Sequence, residues 1–405
     1  MTIVIVGGGH AAGQAAASLR QENYEGEILV IGDEPHIPYQ RPPLSKQYLS
    51  GEYGLDRVHL RPARFYESKN IDVKCGVRVQ SIDPDRRSIA CDDGAEIGYD
   101  RLLLATGARP RKLKTTGGDL PGVHYLRTIA DVDAIKAEFQ PGRRIAIVGG
   151  GYIGLEVAAI AIKAGLVVTV LEMEDRILKR VTTATMSAFY DDLHTEQGVE
   201  VRTGLRAESF AGSDRLTGVV CSGGEVVPAD LAVVGIGIRP NVELAEAAGL
   251  DCNDGIVVDE FTRTSDPNIF AAGDCTNHPN SLLGRRLRLE SVPNAMEQSR
   301  VAAANLADNP RAYANVPWFW SDQYDLKLQM VGFSTEAERQ VLRGDPATRQ
   351  FAIFYFDGDT LSAADAVNSA REFMVARQLV GKRVDPGKLA DPSVDLKAVL
   401  QAARN

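Results

Sequence analysis

The chain has 405 residues, 44% hydrophobic and 24% charged, with a net charge of −9. That length predicts two or three domains, the composition is that of a folded globular protein, and the acidic excess argues against a nucleic-acid partner. No apolar run approaches the roughly 20 residues needed to span a bilayer, and the opening strand leaves no room for a secretory signal, so a soluble, cytoplasmic protein without a membrane partner is expected.

Ile3 to Val6 is a short apolar strand that runs into Gly7, Gly9 and Ala12, the pattern G-x-G-x-x-[G/A]. A helix follows from about Ala11 to Gln21, then a strand from Ile28 to Ile31 that Asp33 ends. Between Pro35 and Leu49 the chain reads PHIPYQRPPLSKQYL. Its prolines predict a rigid extended or turn segment rather than a helix until about Ser45, and spacing alone leaves Lys46 open between a surface lysine and a functional one. Leu102 to Pro110, LLLATGARP, reads as a buried strand and sharp turn, and Lys112 to Ala130 as a crossover.

The opening unit then returns, offset by 142 residues and more complete. Ile145 to Val148 is a continuous apolar run, as expected of a parallel strand buried on both faces. Gly149, Gly151 and Gly154 fill G-x-G-x-x-G: the first permits a tight turn, the second a close approach to a pyrophosphate, the third close packing of helix on strand. The helix Ile153 to Ala164 presents its N-terminal N–H groups to that pyrophosphate. After Gly165 comes the strand Val167 to Leu171, ended by Glu172. A carboxylate there accepts hydrogen bonds from ribose hydroxyls and repels a 2′-phosphate, which favours NADH over NADPH. Two complete dinucleotide units imply two dinucleotides, most simply a tightly held FAD and a diffusing nicotinamide.

Leu231 to Pro240, LAVVGIGIRP, ends the second unit and returns the chain to the first domain. In IVVDEFTRTSDPNIFAAGD, Asp274 is placed either to bind a flavin ribityl hydroxyl or to cap a following helix. Val292 to Ala304 reads as a helix whose first N–H groups suit the flavin O2 region. Pro317 to Val331 holds both tryptophans, Trp318 and Trp320. A strand at Phe351 to Tyr355, a turn at Gly358, a partner strand at Leu361 to Ala364 and helices at Ser369 to Val380 and Val394 to Ala403 complete the chain. The five cysteines, at 75, 91, 221, 252 and 275, form no C-x-x-C or C-x-x-x-x-C pair. They read as reduced thiols, and no metal site is expected.

Together the motifs resemble the flavoprotein pyridine-nucleotide reductases of the glutathione-reductase fold, and more closely the ferredoxin reductases that serve bacterial mono-oxygenases and dioxygenases. The residues that carry the likeness are RPPLSK at Arg41 to Lys46, LLLATG ending at Gly107, TSDPNIFAAGD ending at Asp274, ESVPNAMEQ from Glu290 and PWFWSDQ from Pro317. The resemblance implies an α/β fold of two Rossmann-like dinucleotide-binding domains plus an α+β C-terminal domain. The FAD-binding domain would take residues 1–110 and 240–315, the NAD-binding domain 111–239, and the C-terminal interface domain 316–405. It further implies FAD contacts by Ala11, Asp33, Lys46, Val79 facing the adenine, Arg127, Asp274 and Val292, with Trp320 bordering the flavin. Lys46 is expected near flavin N5 and paired with Glu156, the two forming the catalytic candidates.

The disulfide reductases of this fold carry a redox cysteine pair soon after the first unit, where this chain has Leu44, Ser45 and Lys46. Electrons are therefore expected to leave the flavin directly, one at a time, to a 2Fe-2S ferredoxin that serves an oxygenase. His10 reads as a structural histidine. Arg285, Arg286, Arg288 and Arg300, set against Glu290 and Glu297, form a candidate docking patch whose alternative is a solvated loop. Rubredoxin reduction, NADH:oxygen or quinone oxidoreduction and a redox sensor of the apoptosis-inducing-factor kind remain open alternatives, as does the choice of monomer or homodimer.

Overall fold

The computed structural model describes residues 1–335 and 337–403. It divides into two compact units, the first made of Met1–Arg41, Tyr53–Arg109 and Ile238–Pro317, the second of Pro42–Glu52, Pro110–Gly237 and Trp318–Asn405. Residues 42–52, read from sequence as part of the first domain, thus cluster with the second unit.

In the first unit a parallel sheet runs in the order Ile269–Ala271, Arg101–Leu104, Thr2–Val6, Glu27–Gly32, Ile71–Cys75. Ile3, Val4 and Ile5 are fully buried because both faces of the sheet are covered. Each such side chain contributes roughly 1.5–3 kcal/mol of burial energy. On one face the helices His10–Gln21 and Val292–Leu306 pack together through Ala12, Ala15, Ala16, Ala302 and Ala303, and these small side chains let the two axes approach closely. A three-stranded antiparallel sheet, Val79–Asp83, Ser88–Cys91 and Glu96–Gly98, closes the other face.

The second unit repeats the parallel design in the order Glu200–Arg202, Val167–Leu171, Arg144–Val148, Leu231–Val234, Val123–Tyr125. The last of these strands lies inside the stretch expected as a plain crossover, and it is followed by the helix Ile129–Ala137, which opens on a capping box between Thr128 and Asp131. A five-stranded antiparallel sheet then follows, ordered Trp318–Gln323, Leu326–Gly332, Thr360–Val367, Gln350–Asp357, Arg339–Asp345. Its edge strand is latched by Arg343, which is buried, pairs with Glu372 at 3.5 Å and donates to the carbonyls of Leu389, Asp391, Pro392 and Val394. No helix of the described residues is long and apolar enough to cross a membrane.

Candidate functional site

The strand Thr2–Val6 ends in Gly7, whose φ of +136° is open to glycine and whose absent Cβ would stand 2.1 Å from the Ala105 carbonyl oxygen. Gly9 then starts the helix His10–Gln21 with no side-chain cap, so the first N–H groups of that helix face outward. Ala11 is 7% exposed and Ala12 fully buried, and His10 is buried at the first helical position. The strand Ile269–Ala271 leads to Gly273, at which a Cβ would meet Ala11 Cβ at 3.1 Å and Ala295 Cβ at 3.7 Å. A single glycine therefore brings the starts of two helices and the half-buried Asp274 together. The segment after Asp274 is the strand Thr276–Asn280, not a helix, which overturns the N-cap alternative for this aspartate.

Val292 opens the helix Val292–Leu306, capped by Ser291, whose hydroxyl accepts the Asn294 N–H. Pro293 has no N–H, so of the first three helical residues Val292 keeps the outward-facing donor. Asp33, just past the strand Glu27–Gly32, is 54% exposed and paired with Arg78 at 3.0 Å, within reach of a ligand's hydroxyls. The Val79 side chain is 6% exposed and packed into the core. Its place at the start of an antiparallel strand over the sheet is the physical reason.

In the second unit the same geometry recurs. Gly149 has φ +108° and a Cβ there would lie 2.5 Å from the Gly235 carbonyl oxygen; Gly154, with a Cβ 2.3 Å from the Gly149 oxygen, lets the helix Tyr152–Lys163 settle on its strand. Gly151 begins that helix without a side-chain cap. Glu172 is held by two main-chain donors, Gly150 N–H to Oε2 at 2.7 Å and Glu174 N–H to Oε1 at 2.9 Å. The first of these ties the Glu172 carboxylate to the glycine turn itself. Each oxygen keeps a lone pair for a ribose hydroxyl.

Lys46 and Glu156 meet as expected. Nζ lies 2.6 Å from Oε2, with side chains 10% and 4% exposed. Lys46 follows a 3-10 turn, Pro42–Ser45, that begins on the prolines themselves, earlier than the sequence suggested. Glu156 is the one acidic residue of the helix Tyr152–Lys163, whose only other charge is the terminal Lys163, and it faces inward. Two partners escaped the sequence reading: Ser45 Oγ donates to Oε2 at 2.5 Å and Ser321 Oγ to Oε1 at 2.6 Å. Three donors on a buried carboxylate offset the cost of burying the ion pair. A lone glutamate inside an apolar helix was the signal that such partners had to exist. Trp320, next to Ser321, is half-buried in a row with Trp318 and Phe319. Arg127 stands half-buried just before the capping box, its N–H donating to Asp131.

Arg286 donates to the carbonyls of Val258 and Asn277 while remaining exposed, and Arg288 pairs with Asp254 and Glu290, so two arginines of the candidate docking patch are anchored within the first unit. Among the described residues all five thiols are free, and burial pushes each of them up, Cys252 to about 11. Protonated, scattered thiols do not exchange electrons with a flavin.

The fold and the two turns agree with what is known of other proteins. The family described as pyridine nucleotide-disulphide oxidoreductase matches residues 1–299, and the one described as reductase C-terminal matches residues 318–400. Putidaredoxin reductase of Pseudomonas putida is 44% identical over 99% of this chain and 97% of its own length. The ferredoxin–NAD(+) reductase component of the anthranilate 1,2-dioxygenase system of Burkholderia cepacia is 44% identical over 98% of each. The crystal structure of the covalent putidaredoxin reductase–putidaredoxin complex superposes with a TM-score of 0.96 over 100% of this chain and 99% of that one. The chain belongs to the pyridine nucleotide-disulphide oxidoreductases, FAD-binding enzymes that draw on a nicotinamide nucleotide, and it carries the reductase C-terminal domain.

Proposed function

We propose that this enzyme carries electrons from NADH through FAD to a 2Fe-2S ferredoxin that serves an oxygenase system, and that it works in the cytoplasm. The observation that carries the reading is a pair of uncapped helix N-termini, each behind a glycine turn, in a chain whose thiols are all free and protonated. Such termini fit the pyrophosphates of two dinucleotides, and without a thiol relay the electrons go straight to a protein acceptor. When bound, FAD supplies the step no side chain can, taking a hydride from NADH and giving up its electrons singly.

The chain's own residues have divisible tasks. Gly7, Gly9 and Ala11 hold the FAD diphosphate, Asp33 the adenosine ribose, Asp274 a ribityl hydroxyl, and the Val292 N–H the carbonyl end of the ring where negative charge collects. Val79 contributes through its main chain, while Arg127, Lys46 and Trp320 complete the flavin's surroundings. Gly149, Gly151 and Gly154 hold NADH, and Glu172 rejects a 2′-phosphate by charge. Lys46 supplies a fixed positive charge where hydride is received, and Glu156 keeps that ammonium oriented.

The test is anaerobic stopped-flow. The FAD-loaded enzyme mixed with NADH, and not with NADPH, should bleach rapidly, then recover colour stepwise as an oxidised 2Fe-2S ferredoxin is reduced. Bleaching that no ferredoxin reverses would overturn the proposed acceptor.

A further inference from the structure

Glu156 is the end of a longer line of hydrogen bonds inside the second unit. Ser321 Oγ donates to Glu156 Oε1 at 2.6 Å and Gln323 Nε2 donates to Ser321 Oγ at 3.2 Å. Beyond them His194 Nε2 lies 2.8 Å from Gln323 Oε1, and the Tyr324 hydroxyl 2.9 Å from His194 Nδ1. Ser321, Gln323 and His194 are 0–1% exposed. Alternation along the strand Trp318–Gln323 puts Ser321 and Gln323 on one face and Trp320 on the other.

Donor bookkeeping allows one arrangement of protons. A carboxylate oxygen only accepts, so the Ser321 proton is committed to Glu156. The remaining lone pairs of Ser321 Oγ require the amide nitrogen of Gln323 there, which turns the Gln323 carbonyl to His194. A carbonyl only accepts, so His194 carries its proton on Nε2. Burial pushes the His194 pKa down and keeps the ring neutral, so Nδ1 accepts the Tyr324 O–H. Every O–H and N–H in the line points from the hairpin towards the carboxylate.

The backbone supplies a second observation. Tyr324 occupies a two-residue hairpin loop between Gln323 and Leu326 with φ +57°. That conformation suits glycine and strains a bulky residue. A phenol retained there is accounted for by its bond to His194.

We propose that Ser321, Gln323, His194 and Tyr324 are positioning residues, a hydrogen-bond line of fixed polarity that holds Glu156 as a carboxylate, leaves its Oε2 for Lys46 and Ser45, and so keeps the Lys46 ammonium in one place. The line orients and does not conduct, because a proton could cross Gln323 only through an imidic-acid tautomer. Around Glu156 the other titratable groups are Lys46, from the 42–52 segment, and the buried Tyr190, from the helix Ala184–Glu196. The inference rests on the Lys46–Glu156 reading above.

The test uses FAD-loaded enzyme with carboxyl-labelled glutamate and ring-labelled histidine, followed by NMR at pH 8. In Ser321→Ala the Glu156 carboxyl resonance should move, through the loss of one hydrogen bond to a charged group, and Ser321→Thr should restore it. His194 should be the Nε2–H tautomer, set by the Gln323 carbonyl, and Tyr324→Phe, which removes one hydroxyl from a surface hairpin, should keep that tautomer and move only the Nδ1 resonance, whose donor is gone. An unmoved Glu156 carboxyl resonance in Ser321→Ala, or an Nδ1–H tautomer of His194 in the unaltered enzyme, overturns the proposal. Should Ser321→Ala not retain FAD, the His194 tautomer in the unaltered enzyme and in Tyr324→Phe decides alone. Glu156→Gln separates the two readings: if it leaves flavin reduction by NADH unchanged while Ser321→Ala still moves the carboxyl resonance, the line stands and the catalytic reading of the pair falls.

Discussion

Replacing Asp365 by asparagine should stabilise the enzyme more at pH 8 than at pH 5. Asp365 lies in the strand Thr360–Val367, 2% exposed, and its Oδ2 accepts the hydroxyls of Thr182 at 2.6 Å and Tyr355 at 2.9 Å. Burial outweighs these two bonds and pushes the carboxyl up from 3.8 to about 6. A group with a raised folded pKa contributes stability that is fully present below its unfolded pKa and is lost as pH rises through the folded value. At about 1.4 kcal/mol per pH unit, full ionisation costs about 3 kcal/mol, of which about 1.6 is already lost at pH 5. Asparagine does not titrate, and any misfit of its amide is the same at every pH. The stability difference between variant and unaltered enzyme should therefore shift in the variant's favour by about 1.4 kcal/mol from pH 5 to pH 8. Urea unfolding of the FAD-loaded proteins at constant ionic strength, followed by far-UV circular dichroism, measures that shift. An identical difference at both pH values would refute the argument that Asp365 is ionised against its surroundings.

Other substitutions probe the sites separately. Gly149→Ala places a methyl 2.5 Å from the Gly235 oxygen, and should weaken NADH binding at least ~10-fold, or about 1.4 kcal/mol, while the flavin content of the purified protein stays unchanged. Glu172→Ser removes the charge that repels a 2′-phosphate and should cut the ratio of NADH to NADPH efficiency on the order of 10-fold or more; steady-state kinetics with both nucleotides reads it. Lys46→Met leaves the Glu156 carboxylate buried without its cation, a loss of roughly 3 kcal/mol, and flavin reduction by NADH should slow measurably in stopped-flow. Arg343→Met removes the donor to four carbonyls near the C-terminus, and limited proteolysis should then cut within residues 386–402 before the rest of the chain.

Glycine turns were readable because their chemistry is local: strand, turn, helix and terminal carboxylate occupy consecutive residues, and the backbone angles at Gly7 and Gly149 follow from that context. Contacts across long separations were not. Ser45 and Ser321 reach Glu156 from 111 and 165 residues away, and only the oddity of a glutamate in an apolar helix hinted at them. The strand Val123–Tyr125 is three half-buried residues at a sheet edge, too short to leave a period. The core packing of Val79 was not legible either, because the family likeness locates the residue but not the direction of its side chain. The partners of Arg286 and Arg288 were equally illegible, because charge in a sequence carries no record of which carbonyls and carboxylates it satisfies.

The shielded thiols make the enzyme unusually easy to label. At neutral pH a thiol held near 11, as Cys252 is, exposes very little thiolate to alkylating reagents, and Cys91, Cys221 and Cys275 are buried besides. One cysteine introduced at an exposed position, such as Met374 at 52% exposure, would outcompete all five. A fluorophore or spin probe placed in this way would report where an iron–sulphur protein touches down without first stripping the native cysteines.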